Sequence, residues 1–120
     1  MSKPEEQLAS QLKAAHIKFE REYRPWKDRR FRFDFYVSIM QEIGVSYAGC
    51  FRQLLVEVQG GIWMPKFGKK SGHTTGVGIN NNCEKYCLAA IDGYLVMPVT
   101  PDQIKSGKAL QWIEKAMGRE

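Results

Sequence analysis

The chain has 120 residues, with 18 Lys and Arg against 13 Asp and Glu and a formal net charge of +5. That length suits one domain around one core, so residues 1–120 are expected to form a single unit. A composition 43% hydrophobic and 26% charged excludes a disordered chain or a fibre, and no apolar run approaches the ~20 residues that span a bilayer. The N-terminus, Met1-Ser2-Lys3-Pro4, lacks the apolar stretch of a secretory signal. The expectation is a cytoplasmic domain with an anionic partner and no membrane partner.

In chain order, Pro4 to Ala15 reads as a helix, with Ser2 as its cap and Leu8, Leu12 and Ala15 on one face. Glu5 falls at the N-terminal end of that face. Ile17 to Tyr23 reads as a strand ended by Arg24-Pro25. The clearest alternation follows: Phe31, Phe33, Phe35 and Val37 on one face, Arg30, Arg32, Asp34 and Tyr36 on the other. Residues 38–50 contain Gly44 and Gly49 and read as an insertion. Phe51 to Gln59 is a third strand, with Leu54, Val56 and Val58 on one side and Leu55, Glu57 and Gln59 on the other.

A loop over 60–78 holds six of the eleven glycines, together with Lys66, Lys69, Lys70 and His73. No acid lies between Glu57 and Glu84, so the loop is cationic, and it lacks the spacing of a Walker A loop. Asn80-Asn81-Asn82 reads as the cap of a helix ending near Asp92, with Ile79, Cys83, Cys87, Ala90 and Ile91 on its buried side. Tyr94 to Val99 is a fourth strand, and the remainder is helical with a break at Ser106-Gly107. The order α-β-β-β-α-β-α predicts a single α/β domain, a mixed sheet flanked by helices.

Cys50, Cys83 and Cys87 are an odd set, which cannot close into intramolecular bridges. Cys83 and Cys87 with the distant His73 lack a fourth zinc ligand, so buried reduced thiols are the preferred reading.

Asp34 and Glu57 lie on the less apolar faces of consecutive strands, which places them near one another. Two adjacent carboxylates need a cation or a proton between them, and hard oxygen ligands suit Mg2+ or Mn2+. A metal there would activate water and stabilise charge on a phosphate in displacement. Periodicity alone slightly favours a plainer arrangement, in which Asp34 pairs with Arg30 or Arg32 and Glu57 is solvated.

Asp34 followed by Glu57-Val58-Gln59 resembles the Asp…Glu-x-Lys signature of the PD-(D/E)XK nuclease superfamily, whose core has the same element order. The segments Arg21-Glu22-Tyr23-Arg24, Arg32-Phe33-Asp34-Phe35, Val56 to Trp63, Gly72-His73-Thr74-Thr75-Gly76, Cys83-Glu84-Lys85-Tyr86 and Thr100 to Gly107 are similar to small endonuclease-like proteins of phages and prophages. This resemblance, restriction-endonuclease-like in its core, spans nearly the whole chain.

The resemblance implies that Asp34 and Glu57 bind Mg2+, with Mn2+ as a substitute, that the Val58 carbonyl adds a ligand, and that Glu5 reaches the same metal. Gln59 stands where the family usually has lysine. A glutamine can orient water through its amide but supplies neither charge nor a useful base. Lys85 is the first candidate to replace that lysine, with Lys69 and Lys70 behind it; an exposed helix lysine is the other reading of Lys85. His73 matches a recurring position and is expected at the scissile phosphate or beside a water. Arg24, Arg29, Arg30, Arg32, Lys66, Lys69 and Lys70 are candidates for DNA phosphate contacts. Trp26, Trp63 and Phe67 are either stacking surfaces for an unpaired base or packing anchors.

The implied activity is Mg2+-dependent endonucleolytic cleavage of DNA in a bacterial host cell. Branched or Holliday-junction DNA is one expected substrate subclass, with a homodimer as an open option, and nicking or non-specific cleavage fits equally well. The alternatives are a catalytically inactive DNA-binding module on a nuclease fold, which Gln59 makes credible, and a phage protein-interaction factor.

Overall fold

The computed structural model describes residues 3–39, 53–59 and 76–119, and the side chains of 76–79 are not described. Helix α1 (Lys3–Ala14) is followed by strands β1 (Glu20–Tyr23), β2 (Phe33–Ser38) and β3 (Gln53–Val58). Helix α2 (Gly76–Ile91) then leads to β4 (Tyr94–Val99), and α3 (Pro101–Lys105) and α4 (Lys108–Ala116) close the chain. The sheet order is β1-β2-β3-β4. β1, β2 and β3 pair antiparallel, and β4 joins β3 in parallel. A parallel pair requires a crossover, and α2 lies within it. The expected α/β order and mixed sheet are observed.

Helix α1 ends where the Ile17 N–H donates to the Leu12 carbonyl and the His16 N–H to that of Lys13, with His16 at φ 60°. This pairing of the last carbonyls, with a left-handed residue between, turns the chain back and drops Ile17 into the core. The strand expected from Ile17 accordingly begins only at Glu20. Gly107, at φ 88°, takes the left-handed conformation that separates α3 from α4. Thr100 and Gln103 form a reciprocal capping box at the start of α3.

The main core lies on one side of the sheet, where Phe35, Val37, Leu54, Val56 and Val99 meet Leu8 and Leu12 of α1 and Ile104, Ala109 and Ile113 of α3 and α4. The opposite side is smaller: Phe33, Leu55 and Ala89 of α2, fringed by Tyr23, Trp26, Tyr36, Tyr86 and Tyr94. The parity of β3 holds, with Leu54 and Val56 on the first side and Leu55 on the second.

Three expectations change. Phe33 and Phe35 were expected to share a face, yet Phe35 packs in the main core and Phe33 beneath α2. The departure coincides with Glu22, at φ 50°, which the β1–β2 register places opposite Asp34. Helix α2 begins at Gly76, so the glycine-rich stretch ends sooner than 78 and the three asparagines lie within the helix rather than capping it. Its orientation also differs. Cys83 and Cys87 are free and exposed, Ala90 is exposed and Ile91 is 77% exposed, whereas Lys85 and Ala89 are buried. Hydrophobicity misplaced this face because the helix covers a polar centre, and there a lysine is the residue turned inward.

Among the described residues no helix is long and apolar enough to cross a membrane. The bulk of the 38–50 insertion, the 60–75 stretch, and with them His73, Lys66, Lys69, Lys70, Trp63, Phe67 and Cys50 lie outside the described residues, as does Ser2.

Candidate functional site

The site is built where the β2–β3 ladder ends. Pairing runs from Ser38 opposite Gln53 to Phe35 opposite Val56. Just beyond that last pair the Asp34 side chain reaches across to β3. Its Oδ2 accepts a hydrogen bond from the Val58 backbone N–H at 2.8 Å. A carboxylate thus occupies a position that a backbone carbonyl fills elsewhere in the ladder, which fixes its orientation. On the far side of β3 the Gln59 N–H donates to the Val99 carbonyl at 2.7 Å, so this end of β3 is held from both flanks.

Glu57 and Gln59 project toward α2, and two consecutive residues of that helix meet them. Lys85 Nζ lies 2.8 Å from Glu57 Oε2. Gln59 Nε2 donates to the Tyr86 hydroxyl at 2.7 Å. Strand period and helix geometry explain the match, since residues two apart on a strand face the same way and adjacent helix residues fan across that spacing. Lys85 is only 8% exposed and is the one buried charged residue among those described. Its ammonium also lies 4.4 Å from the centroid of the Phe33 ring, a cation–π distance. The reading of Lys85 as an exposed helix lysine therefore does not hold.

The environment of Glu57 is strained electrostatically. Burial pushes its carboxyl pKa up, the nearby Asp34 charge adds to the rise, and Lys85 pulls it back through its hydrogen bond and its charge. Oε2 has Lys85, but Oε1 is buried with no hydrogen-bond partner. Burial likewise raises the Tyr86 phenol; its hydrogen bond with Gln59 opposes the shift, and the Glu57 and Asp34 charges reinforce it. Tyr86 is thus a neutral hydroxyl close to both carboxylates. Sequence reasoning assigned it no role, although it directly follows Lys85.

These donors suit a hard divalent cation. Asp34 and Glu57 supply carboxylate oxygens, and Glu57 Oε1 is a buried acceptor with no hydrogen-bond partner. Glu5, expected to reach the same metal, lies 3.8 Å from Arg21, which also pairs with Glu6 at 3.2 Å and lies 5.1 Å from the Phe35 ring centroid, on the α1 side of the sheet. Among the described residues no group of three or more His, Cys, Asp or Glu is assembled for a metal. Of the Val58 main chain, the observed contact is the N–H on Asp34.

The plainer pairing expected for Asp34 is not the one found, since Arg32 approaches Glu22 at 3.8 Å. Arg24 donates to the Arg29 carbonyl at 3.0 Å and Arg29 meets Glu84 at 3.3 Å, which ties the β1–β2 connection to α2. Arg24, Arg29, Arg30 and Arg32 are all exposed. Trp26 is a packing anchor: its Nε1 donates to Asp92 at 2.6 Å and its ring meets Phe31 edge-on. Comparison of the chain with models of known families, with curated proteins and with solved structures gives no match.

Proposed function

We propose that this chain is a metal-dependent DNA endonuclease of the PD-(D/E)XK type, in which Lys85 of α2 provides the ammonium that Gln59 of β3 cannot. The observation that carries the reading is the meeting of Asp34, Glu57 and Lys85 at the end of the β2–β3 ladder, with Lys85 Nζ 2.8 Å from Glu57. A structural lysine has little reason to be buried there, because burying a charge costs more than a surface ion pair returns.

Asp34, Glu57 and the Val58 carbonyl would hold Mg2+ or Mn2+, which supplies Lewis-acid stabilisation of phosphate charge and a more acidic water when bound. The chain's own groups do the rest. The Val58 N–H keeps the Asp34 carboxylate in one orientation. Lys85 places a positive charge beside the carboxylate pair, where an attacking water or a phosphate oxygen is stabilised by it. Tyr86 holds the Gln59 amide in place, and that amide orients water by hydrogen bonding without taking its proton. Arg24, Arg29, Arg30 and Arg32 contribute phosphate contacts around the site, a term independent of sequence that falls with salt.

Incubation with supercoiled plasmid and with a synthetic four-way junction tests the reading. Nicking or linearisation that requires Mg2+ or Mn2+ and stops with a chelator is the expected result, and preferential junction cutting would place the enzyme among branched-DNA nucleases. Salt-sensitive DNA binding without cleavage under any divalent cation would instead identify an inactive DNA-binding module. Absence of binding even at low salt would leave a protein-interaction factor.

A further inference from the structure

We propose that Lys85 is the resident cation of the carboxylate site, and that its ammonium and a divalent metal are alternative partners of Glu57. The inference rests on the reading of Asp34 and Glu57 as metal ligands, and it adds a device that governs when the site is loaded. Two acids facing one another at the end of a sheet, one of them largely buried, repel unless a positive charge lies with them. That charge is already built into the fold at Glu57 Oε2, while Oε1 has no partner. A divalent cation binding both acids would meet the ammonium at close range. Like charges so near in a partly desolvated site oppose one another strongly.

Phe33 gives the ammonium somewhere to remain. Its ring centroid is 4.4 Å from Nζ, so Lys85 can loosen from Glu57 and keep a favourable contact on the aromatic face. Tyr86, the next residue, is held by Gln59, which anchors α2 while the lysine moves. Lys85 is therefore a positioning residue in the metal-free protein, keeping Glu57 in its loaded geometry. The linkage between the two cations is reciprocal: whatever weakens Lys85 at Glu57 tightens the metal, and the metal loosens Lys85.

Calorimetric titration of Mn2+ into the full chain without DNA, together with melting curves with and without Mn2+, tests this directly. Lys85→Met is expected to bind Mn2+ at least about fivefold more tightly than the wild type, the lower end of ordinary coupling between sites. The same variant should melt lower without metal and gain more from Mn2+ than the wild type does. Lys85→Arg, which keeps the charge, should bind no more tightly than the wild type. Should Lys85→Met not fold, Lys85→Gln carries the same comparison. Unchanged or weaker Mn2+ binding on removal of the charge would overturn the proposal. This coupling in a protein that leaves DNA uncut would sink the nuclease reading alone, whereas DNA cleavage with no coupling would sink this inference alone. Absence of Mn2+ binding in wild type and variants alike would remove both.

Discussion

Asp34→Asn is expected to abolish the proposed metal-dependent DNA cleavage while leaving the fold intact. The amide oxygen of asparagine still accepts the Val58 N–H that Asp34 Oδ2 accepts at 2.8 Å, so the local hydrogen bond survives. Only the negative charge is lost, and with it one of the two anionic oxygen ligands. A metal's electrostatic contribution to phosphoryl displacement is several kcal/mol, so the expected loss in rate is on the order of 10^3-fold or more. Asp34→Ala loses the same rate and also leaves the Val58 N–H unpaired at the end of the ladder, which costs a further ~1–3 kcal/mol of stability. Measuring plasmid nicking and urea denaturation for both variants separates the two roles. An Asp34→Asn protein that cuts as fast as the wild type would remove Asp34 from the chemistry.

Breaking the Glu57–Lys85 pair has the largest expected effect on stability. Glu57→Ala leaves the Lys85 ammonium buried with its carboxylate gone, and loss of one partner of a buried pair costs about 3–5 kcal/mol. Replacing both members with apolar groups of similar volume removes both desolvation penalties. Glu57→Leu combined with Lys85→Met is therefore expected to be close to the wild type in stability or above it, while cleaving nothing. Such a result would mean that the pair is kept for function at no benefit to folding. A double variant as unstable as Glu57→Ala would contradict it.

The same pair predicts a pH dependence. The folded-state pKa of Glu57 is raised above its ordinary value of 4.5, so folding favours its protonated form. Its contribution is fully present below the unfolded pKa and is lost as pH rises through the higher folded one. Compared with Glu57→Gln, which does not titrate, the wild type should lose relative stability as pH rises from 4.5, and the difference should level off above the folded pKa. Denaturation curves for the two proteins across that range give the sign.

Much of this architecture was legible from local pattern. The alternation of Leu54 to Gln59 indicated which side of β3 carries Glu57, and that parity holds because a slip of one residue would turn Glu57 into the main apolar core and move Leu54 and Val56 out of it. Asp34 and Glu57 were paired on adjacency alone; the ladder ends at Phe35 opposite Val56, and just beyond it Asp34 accepts from the Val58 N–H and its charge acts on Glu57. What pattern could not reveal was the behaviour of α2. Cys83, Cys87 and Ile91 look like a helix's inner face by hydrophobicity, but burial there is decided by what lies beneath, and beneath lie Glu57 and Phe33. An inward lysine follows from a carboxylate on another element, 28 residues away in sequence. The contact of Tyr86 with Gln59 is hidden for the same reason, since it too depends on the docking of helix on strand. The displacement of Phe33 from the face of Phe35 coincides with a backbone feature on the neighbouring strand, the positive φ of Glu22, for which a glutamate gives no hint.

A crystal of the protein soaked in Mn2+ and measured for anomalous scattering places the cation without reference to activity. A peak within about 2.0–2.4 Å of carboxylate oxygens of both Asp34 and Glu57 is the expected result, with Lys85 drawn back toward Phe33. No peak between the two acids at saturating Mn2+, with Lys85 still on Glu57, would contradict metal-dependent chemistry at this site.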